Sequence, residues 1–270
     1  MSITPDANDE LSKPNIARVY DYAIGGYANF AADRAATDAL IAVYPDALLG
    51  ARANRAFLRR AVAVLAREGI AQFLDVGSGL PTVGNVHEVV QGVTPTARVV
   101  YVDNDPVAVR YSQQILAEDG VAGVAAIEAD LRDPAAILAH PDTRRLLDVS
   151  RPVALILAAV LHFIPDDDAA LGIVRDLTAA LPAGSYLVIS HGTYDGAAPE
   201  TLTQLTRLYA ASTHPVGFRS HAQLAPFFDG FEVIAPGIVF APAWRPDGNP
   251  SPFTDEPERS AVLAGVGRKR

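Results

Sequence analysis

The sequence predicts an α/β fold: a mostly parallel sheet with helices on both faces, preceded by a helical N-terminal region. Three observations carry this. Short apolar runs alternate with helical patterns from residue 70 onward, the signature of strand–helix–strand units. The runs are nearly continuous in apolar residues, as burial on both faces requires. Two of them end in an acid, Asp75 and Asp103, and the first acid leads at once into Gly77-Ser78-Gly79, a tight loop suited to close approach by a ligand.

The elements follow in order. Residues 1–13 read as a disordered tail. Pro14–Tyr22 starts a helical region, with Pro14 tolerated in a first turn. Gly25-Gly26 breaks it. Phe30–Val43 reads as a helix ended near Pro45. Leu48–Glu68 is a stronger one, with Phe57, Leu58, Ala61, Val62 and Leu65 recurring at three and four and Gly69 as a stop. Strands then fall at Ile70–Val76, Arg98–Asp103, Val121–Ala129, Val153–Val160 and Ser185–His191. Helices fall between them at Thr82–Gln91, Pro106–Glu118, Asp133–Ala139 and Asp166–Leu181, and after them at Glu200–Ser212. Phe231–Ile234 and Ile238–Ala241 read as a closing antiparallel pair, making seven strands. The expected organisation is a tail over 1–13, a helical extension or lid over 14–69, a core over 70–246, and a loop and tail packing on the core over 247–270. Residues 247–259, rich in proline and charge, read as a surface loop able to fold over a site.

Composition narrows the function. The chain has 270 residues, a formal net charge of −9 and a pI of about 5.1. Such a surface repels phosphate backbones, which argues against general nucleic-acid binding. Arg52, Arg55, Arg59 and Arg60 recur at helical spacing and read as a solvated helix face or a local basic patch. There is no cysteine, which excludes disulfides, thiolate nucleophiles and zinc–thiolate sites. The apolar run Pro152–Val160 is too short to cross a bilayer. A cytoplasmic protein is expected.

The acids and glycines point to a nucleoside-containing cofactor. A dinucleotide loop wants a third glycine where Thr82 stands, which weakens the nicotinamide reading. An acid two residues before the first glycine, as Asp75 is, fits S-adenosylmethionine enzymes. Asp103 offers two acceptor oxygens to ribose hydroxyls, or else caps the helix at Pro106. Asn104 is expected near the adenine. Asp130 is a candidate acceptor from its amino group, or a cap before Pro134, and the Leu131 backbone a candidate for a ring nitrogen.

The chain resembles an actinobacterial family of S-adenosylmethionine-dependent methyltransferases, formerly a domain-of-unknown-function family. The matching stretches include Ala17-Arg18-Val19-Tyr20-Asp21-Tyr22, Asn29-Phe30-Ala31-Ala32-Asp33-Arg34, Asn54-Arg55-Ala56-Phe57-Leu58, Gln72–Thr82, Val99–Pro106, Asp130–Pro134 and Val160–Asp167. The match runs from about Pro14 to Pro246. It implies a Rossmann-like class I methyltransferase fold and S-adenosyl-L-methionine as cofactor, and leaves the acceptor, a small molecule or a peptide, undefined.

Five side chains are expected on the tail and acceptor side. Tyr20 stacks or bonds near the methionine tail, or is a core aromatic. Asn29 and Arg55 hold the tail carboxylate, or Arg55 is a surface charge. Gly25-Gly26 would serve as a hinge. His162, after the fourth strand, orients the cofactor or takes a proton from an acceptor hydroxyl, or is structural. His191, ending the fifth strand, is a second catalytic candidate. His87-Glu88 does not complete a zinc-protease pattern, because residue 91 is Gln91, and no metal site is expected. The spacing Gly77-Ser78-Gly79 is wrong for a nucleophile elbow, and no Walker lysine follows the glycines. Two rival readings remain at this point: a nicotinamide-dependent oxidoreductase and a non-catalytic S-adenosylmethionine sensor or scaffold.

Overall fold

Five apolar runs pair side by side as parallel strands, and that pairing places the site. In the computed structural model, which describes residues 12–82, 84–118, 120–196, 203 and 216–270, these are β1 (Gln72–Val76), β2 (Arg98–Asp103), β3 (Val124–Glu128), β4 (Ala154–Ala158) and β5 (Tyr186–Gly192). Three more strands complete the sheet: β6 (Phe231–Val233), β7 (Val239–Phe240) and β8 (Val262–Lys269). The order is β3-β2-β1-β4-β5-β8-β6, with β7 paired to β8. Only β8 runs antiparallel to its neighbours. From β1 the chain moves outward to β2 and β3, then returns to β4 on the other side. That reversal opens a crevice at the carboxyl ends of β1 and β4, where such sheets bind ligands.

The helices are α1 (Ile16–Ile24), α2 (Ala31–Val43), α3 (Ala47–Arg67), α4 (Val86–Gln91), α5 (Pro106–Glu118), α6 (Pro134–Ala139), α7 (Pro141–Leu146), α8 (Asp167–Ala179) and α9 (His221–Leu224). Each face of the sheet has its own core. Leu74 and Val76 of β1 join Ile137, Leu146 and Ile173 on one side. Phe73 joins Phe57, Leu65, Val90 and Trp244 on the other. The two-residue period of the strand makes this division.

Trp244 anchors the second core. It is fully buried, with its ring edge-on to Phe57 at 5.4 Å. Arg60 of α3 fixes the turn that carries it, donating to the Trp244 carbonyl at 2.9 Å and the Ala241 carbonyl at 2.7 Å. Trp244→Ala should cost about 3–5 kcal/mol in urea unfolding, the scale for emptying a large aromatic site. The indole nitrogen has no hydrogen-bond partner, so Trp244→Phe should cost distinctly less.

Several expectations need correction. The strands at 231–234 and 238–241 do not pair with each other; β6 and β7 both pair with β8. The chain end expected as a tail is strand β8, lying between β5 and β6. The helix expected from Thr82 begins at Val86, because Gly84 adopts φ +61° and the Asn85 amide is closed by the Glu88 carboxylate at 2.9 Å. A separate helix, α7, was not expected. The cap before α6 is Asp133, not Asp130, accepting from the Ala136 amide at 3.0 Å. Of the tail expected over 1–13, residues 1–11 lie outside the described residues, and so does the helix expected over Glu200–Ser212 apart from Thr203.

Candidate cofactor and active site

The carboxyl rim of the sheet borders a cavity of about 780 Å³. Its floor is the β1 loop, Asp75 to Gly79, with Asp103, Asn104, Asp130 and Leu131 along one side. Tyr20 of α1 and Asn54 and Arg55 of α3 close another side, and His162 stands after β4. The rim thus gathers most of the residues expected from sequence: Tyr20, Arg55, Asp75, Gly77, Ser78, Gly79, Asp103, Asn104, Asp130, Leu131 and His162.

The glycine loop is cinched onto β2. The amides of Gly77 and Ser78 both donate to the Val102 carbonyl, at 2.8 and 3.0 Å. The Gly79 amide donates to Asp103 Oδ2 at 2.8 Å. Asp103 Oδ1 accepts from the Asp105 amide at 3.0 Å. These bonds fix the carboxylate while each oxygen keeps a further lone pair. Burial pushes the Asp103 carboxyl up from its usual range, and the backbone bonds oppose that. The cap before α5 is Asp105, accepting from the Val107 amide at 2.8 Å. Gly77 sits at φ +74° with no room for a side chain: a methyl there would lie 2.2 Å from Val160 Cγ2. In α4 the His87 amide donates to the Tyr101 hydroxyl at 2.9 Å.

Asp75 is buried at the end of β1. Desolvation raises its carboxyl to about 7; the Arg55 guanidinium nearby counters this, and Asp103 adds to it. Arg55 packs 5.6 Å from the Tyr20 ring. Tyr20 donates to the Ala51 carbonyl at 3.2 Å and accepts from the Asn54 amide nitrogen at 2.8 Å. Arg55 Nε and Asn54 Oδ1 are buried without partners, so one donor and one acceptor beside Asp75 stay unspent. Asp130 pairs with Arg132 at 2.6 Å, an exposed pair, and that arginine holds its carboxyl below the usual range.

Asn29 and His191 are not brought to the cavity wall. The Asn29 amide is consumed by the turn after α1, donating to Asp21 Oδ2 at 3.0 Å and the Gly26 carbonyl at 3.1 Å. That turn is packed rather than a free hinge. Asp21 also accepts from the Thr82 hydroxyl and, at 2.8 Å, from the Ala28 amide, and a methyl on Gly26 would strike its carboxylate. His191 is fully buried behind the wall. His162 does line the cavity, but burial, with His191 and Arg219 beside it, lowers its imidazole to about 3. The ring is neutral in this setting.

The sequence allowed the loop over 247–259 to fold over a site but singled out none of its residues, nor Tyr44 or Asp46, for a roof. Arg259, from the turn before β8, pairs with Asp46 at the start of α3 through two bonds of 3.1 Å. Tyr44 donates to the Arg259 carbonyl at 2.5 Å. Glu258 and Ser260 line the cavity beside it, as do Phe163, Tyr194 and Phe218. Among the described residues, no group of three or more His, Asp or Glu is placed to hold a metal, and no helix is long and apolar enough to cross a membrane.

A sheet of this order, with a crevice at its reversal point floored by a glycine loop and flanked by strand-end acids, has the Rossmann-like fold of class I methyltransferases. The chain belongs to the S-adenosyl methyltransferase family, whose model matches residues 4–270. It is an S-adenosylmethionine-dependent methyltransferase. Among solved structures it is similar to a DUF574 family protein from Streptomyces avermitilis, at 44% identity and TM-score 0.89, covering 97% of this chain and 99% of that one. It is similar to a candidate methyltransferase from Thermobifida fusca, at 41% identity and TM-score 0.90, covering 100% of both chains. A mitomycin 7-O-methyltransferase shares the fold alone, at 19% identity and TM-score 0.50, covering 78% of this chain and 54% of that one. No curated protein matches the chain.

Proposed function

We propose that this methyltransferase acts on a small organic acceptor held in the roofed outer half of the cavity, with the cofactor in the inner half. The carrying observation is the strap formed by Tyr44, Asp46 and Arg259. It ties α3 to the turn before β8 across cavity-lining residues, which suits a compact acceptor better than a polypeptide segment. Incubation with S-adenosylmethionine and a cell extract split into small-molecule and protein fractions tests this. S-adenosylhomocysteine should form with the small-molecule fraction. Formation with the protein fraction alone would overturn the small-acceptor reading. A cytoplasmic setting is inferred from sequence composition alone.

The cofactor fits the residues present. Arg55 Nε is a spare buried donor for a carboxylate, and Asn54 Oδ1 and Asp75 are acceptors for an ammonium. Asp103 is set for the ribose hydroxyls, and Asn104, Asp130 and Leu131 for the adenine. Tyr20 is set beside the tail, over the floor of Gly77, Ser78 and Gly79. The bound cofactor supplies an electrophilic sulfonium methyl, open to in-line displacement. The protein then mainly positions the partners and excludes water. Since His162 is a weak base, the site suits an acceptor atom that is nucleophilic without deprotonation by that ring.

Asp75 gives this arrangement a pH signature. Its folded-state pKa lies above the ordinary carboxylate value of 3.8. It therefore lowers stability progressively as pH rises from about 4 to about 7, because the folded state holds the proton longer than the unfolded chain. An ammonium beside it favours the ionised form. Cofactor affinity should then rise with pH up to about 7 and level off, with proton release on binding below that point. Calorimetric titrations in buffers of different ionisation enthalpy should show different apparent heats at pH 6. Equal heats would contradict the pairing with Asp75.

A further inference from the structure

Arg219 is a buried, fully engaged charged side chain outside the cavity wall, and the cofactor reading gives it no task. It is 1% exposed, so an unpaired guanidinium there would carry a heavy desolvation cost. Its donors are distributed over five partners. Nε reaches Asp167 Oδ1 at 2.7 Å. Nη1 reaches the Leu161 carbonyl at 3.1 Å and His191 Nε2 at 2.8 Å. Nη2 reaches the Ile164 carbonyl at 2.8 Å and the Asp166 carbonyl at 3.4 Å. Three of these are backbone oxygens of one loop, 161–166, and that loop carries His162. The neighbouring Gly217 amide adds a bond to the His162 carbonyl at 2.8 Å.

The same contacts fix protons. A guanidinium cannot accept a hydrogen bond, so His191 Nε2 must be the acceptor. The opposite edge of the ring agrees: His191 Nδ1 meets the Gly192 carbonyl at 2.7 Å, and a carbonyl cannot donate. Both edges demand one neutral tautomer, protonated at Nδ1. His162 packs edge-on against this ring at 5.6 Å, and its Nδ1 accepts from the Gly192 amide at 3.5 Å. Its own proton is then on Nε2. Phe218, beside Arg219 in the chain, covers Gly192, where a methyl would come within 3.0 Å of its ring.

We propose that Arg219 is a positioning residue of the active site, clamping loop 161–166 and locking His191 as the Nδ1-protonated tautomer, so that His162 enters the cavity as a neutral ring protonated on Nε2. The proposal rests on the reading of His162 as a site residue. It makes His162 a hydrogen-bond donor toward cofactor or acceptor.

Nitrogen-15 NMR of the full chain, labelled at the imidazoles and assigned by single histidine replacements, tests this at pH 7. In the wild type, His191 should show a protonated Nδ1 and a bare Nε2, and His162 the reverse. Wild-type His191 protonated on Nε2, doubly protonated or tautomerically mixed would overturn the proposal without any variant. Arg219→Lys, whose single ammonium cannot reach all five partners, should give averaged shifts at His191 and a changed His162 signal. Asp167→Asn, which removes the ion pair and leaves the His191 contact, should keep both tautomers. A lower melting temperature in Arg219→Lys with unchanged histidine spectra would show a merely structural arginine and refute the role. Failure of the wild type to bind S-adenosylhomocysteine would sink the cofactor placement and leave the tautomer result standing.

Discussion

Gly77→Ala is expected to lose cofactor binding and to lower stability by roughly 2–5 kcal/mol, the sum of a left-handed backbone forced on a residue with a Cβ and an overpacked site. The two causes are independent. The backbone stands at φ +74°, and the new methyl would lie 2.2 Å from Val160 Cγ2 and 2.6 Å from Val160 Cβ. Val160 follows β4, so the loop cannot relax outward without leaving the Val102 carbonyl that anchors the amides of Gly77 and Ser78. Adding Val160→Ala should restore only part of the loss, since the Val160 Cβ remains in place and φ is unchanged. Urea midpoints and calorimetric titration with S-adenosylhomocysteine read both effects. A Gly77→Ala protein as stable as the wild type, with equal affinity, would contradict the cinched-loop account.

Asp103→Ala is expected to weaken S-adenosylmethionine binding about 10- to 100-fold, which is about 1.4–2.7 kcal/mol and within the range for buried partners left unsatisfied. The change removes the carboxylate proposed to accept from the ribose hydroxyls. It also releases the Gly79 and Asp105 amides that now bond to the carboxylate, so the floor of the site loosens with its wall. Asp103→Asn keeps one acceptor oxygen and should lose less. Titration calorimetry on the three proteins checks the ranking, and unchanged affinity in Asp103→Ala would remove the ribose assignment.

The strands and the acids on the cavity rim were legible because local chemistry states them: an apolar run, an acid, then glycines. Strand β8 was not, because Val262–Lys269 carries Gly265 and Gly267 and ends in charge. Those glycines answer to packing. A methyl at Gly267 would come within 2.8 Å of Phe231 Cβ, and one at Gly265 within 3.0 Å of the Phe228 ring. Asn54 could have been found, since it shares a face of α3 with Ala47, Ala51 and Leu58 at intervals of three and four, and all of these line the cavity. Asn29 drew attention by its place in the N-terminal extension, and its turn uses its amide up. The Asp46–Arg259 roof joins positions 213 residues apart, and Arg219 bonds across 28 to 58 residues. Neither leaves a mark at short range in the chain.

The most direct test of the whole account is a crystal structure of the full chain with S-adenosylhomocysteine. The predicted result is the ribose hydroxyls on the Asp103 carboxylate, the amino-acid tail between Arg55, Asn54 and Asp75, and the sulfur facing His162. A complex in which the nucleoside lies away from the β1–β4 crevice, with Asp103 still bound only to the Gly79 and Asp105 amides, would contradict it.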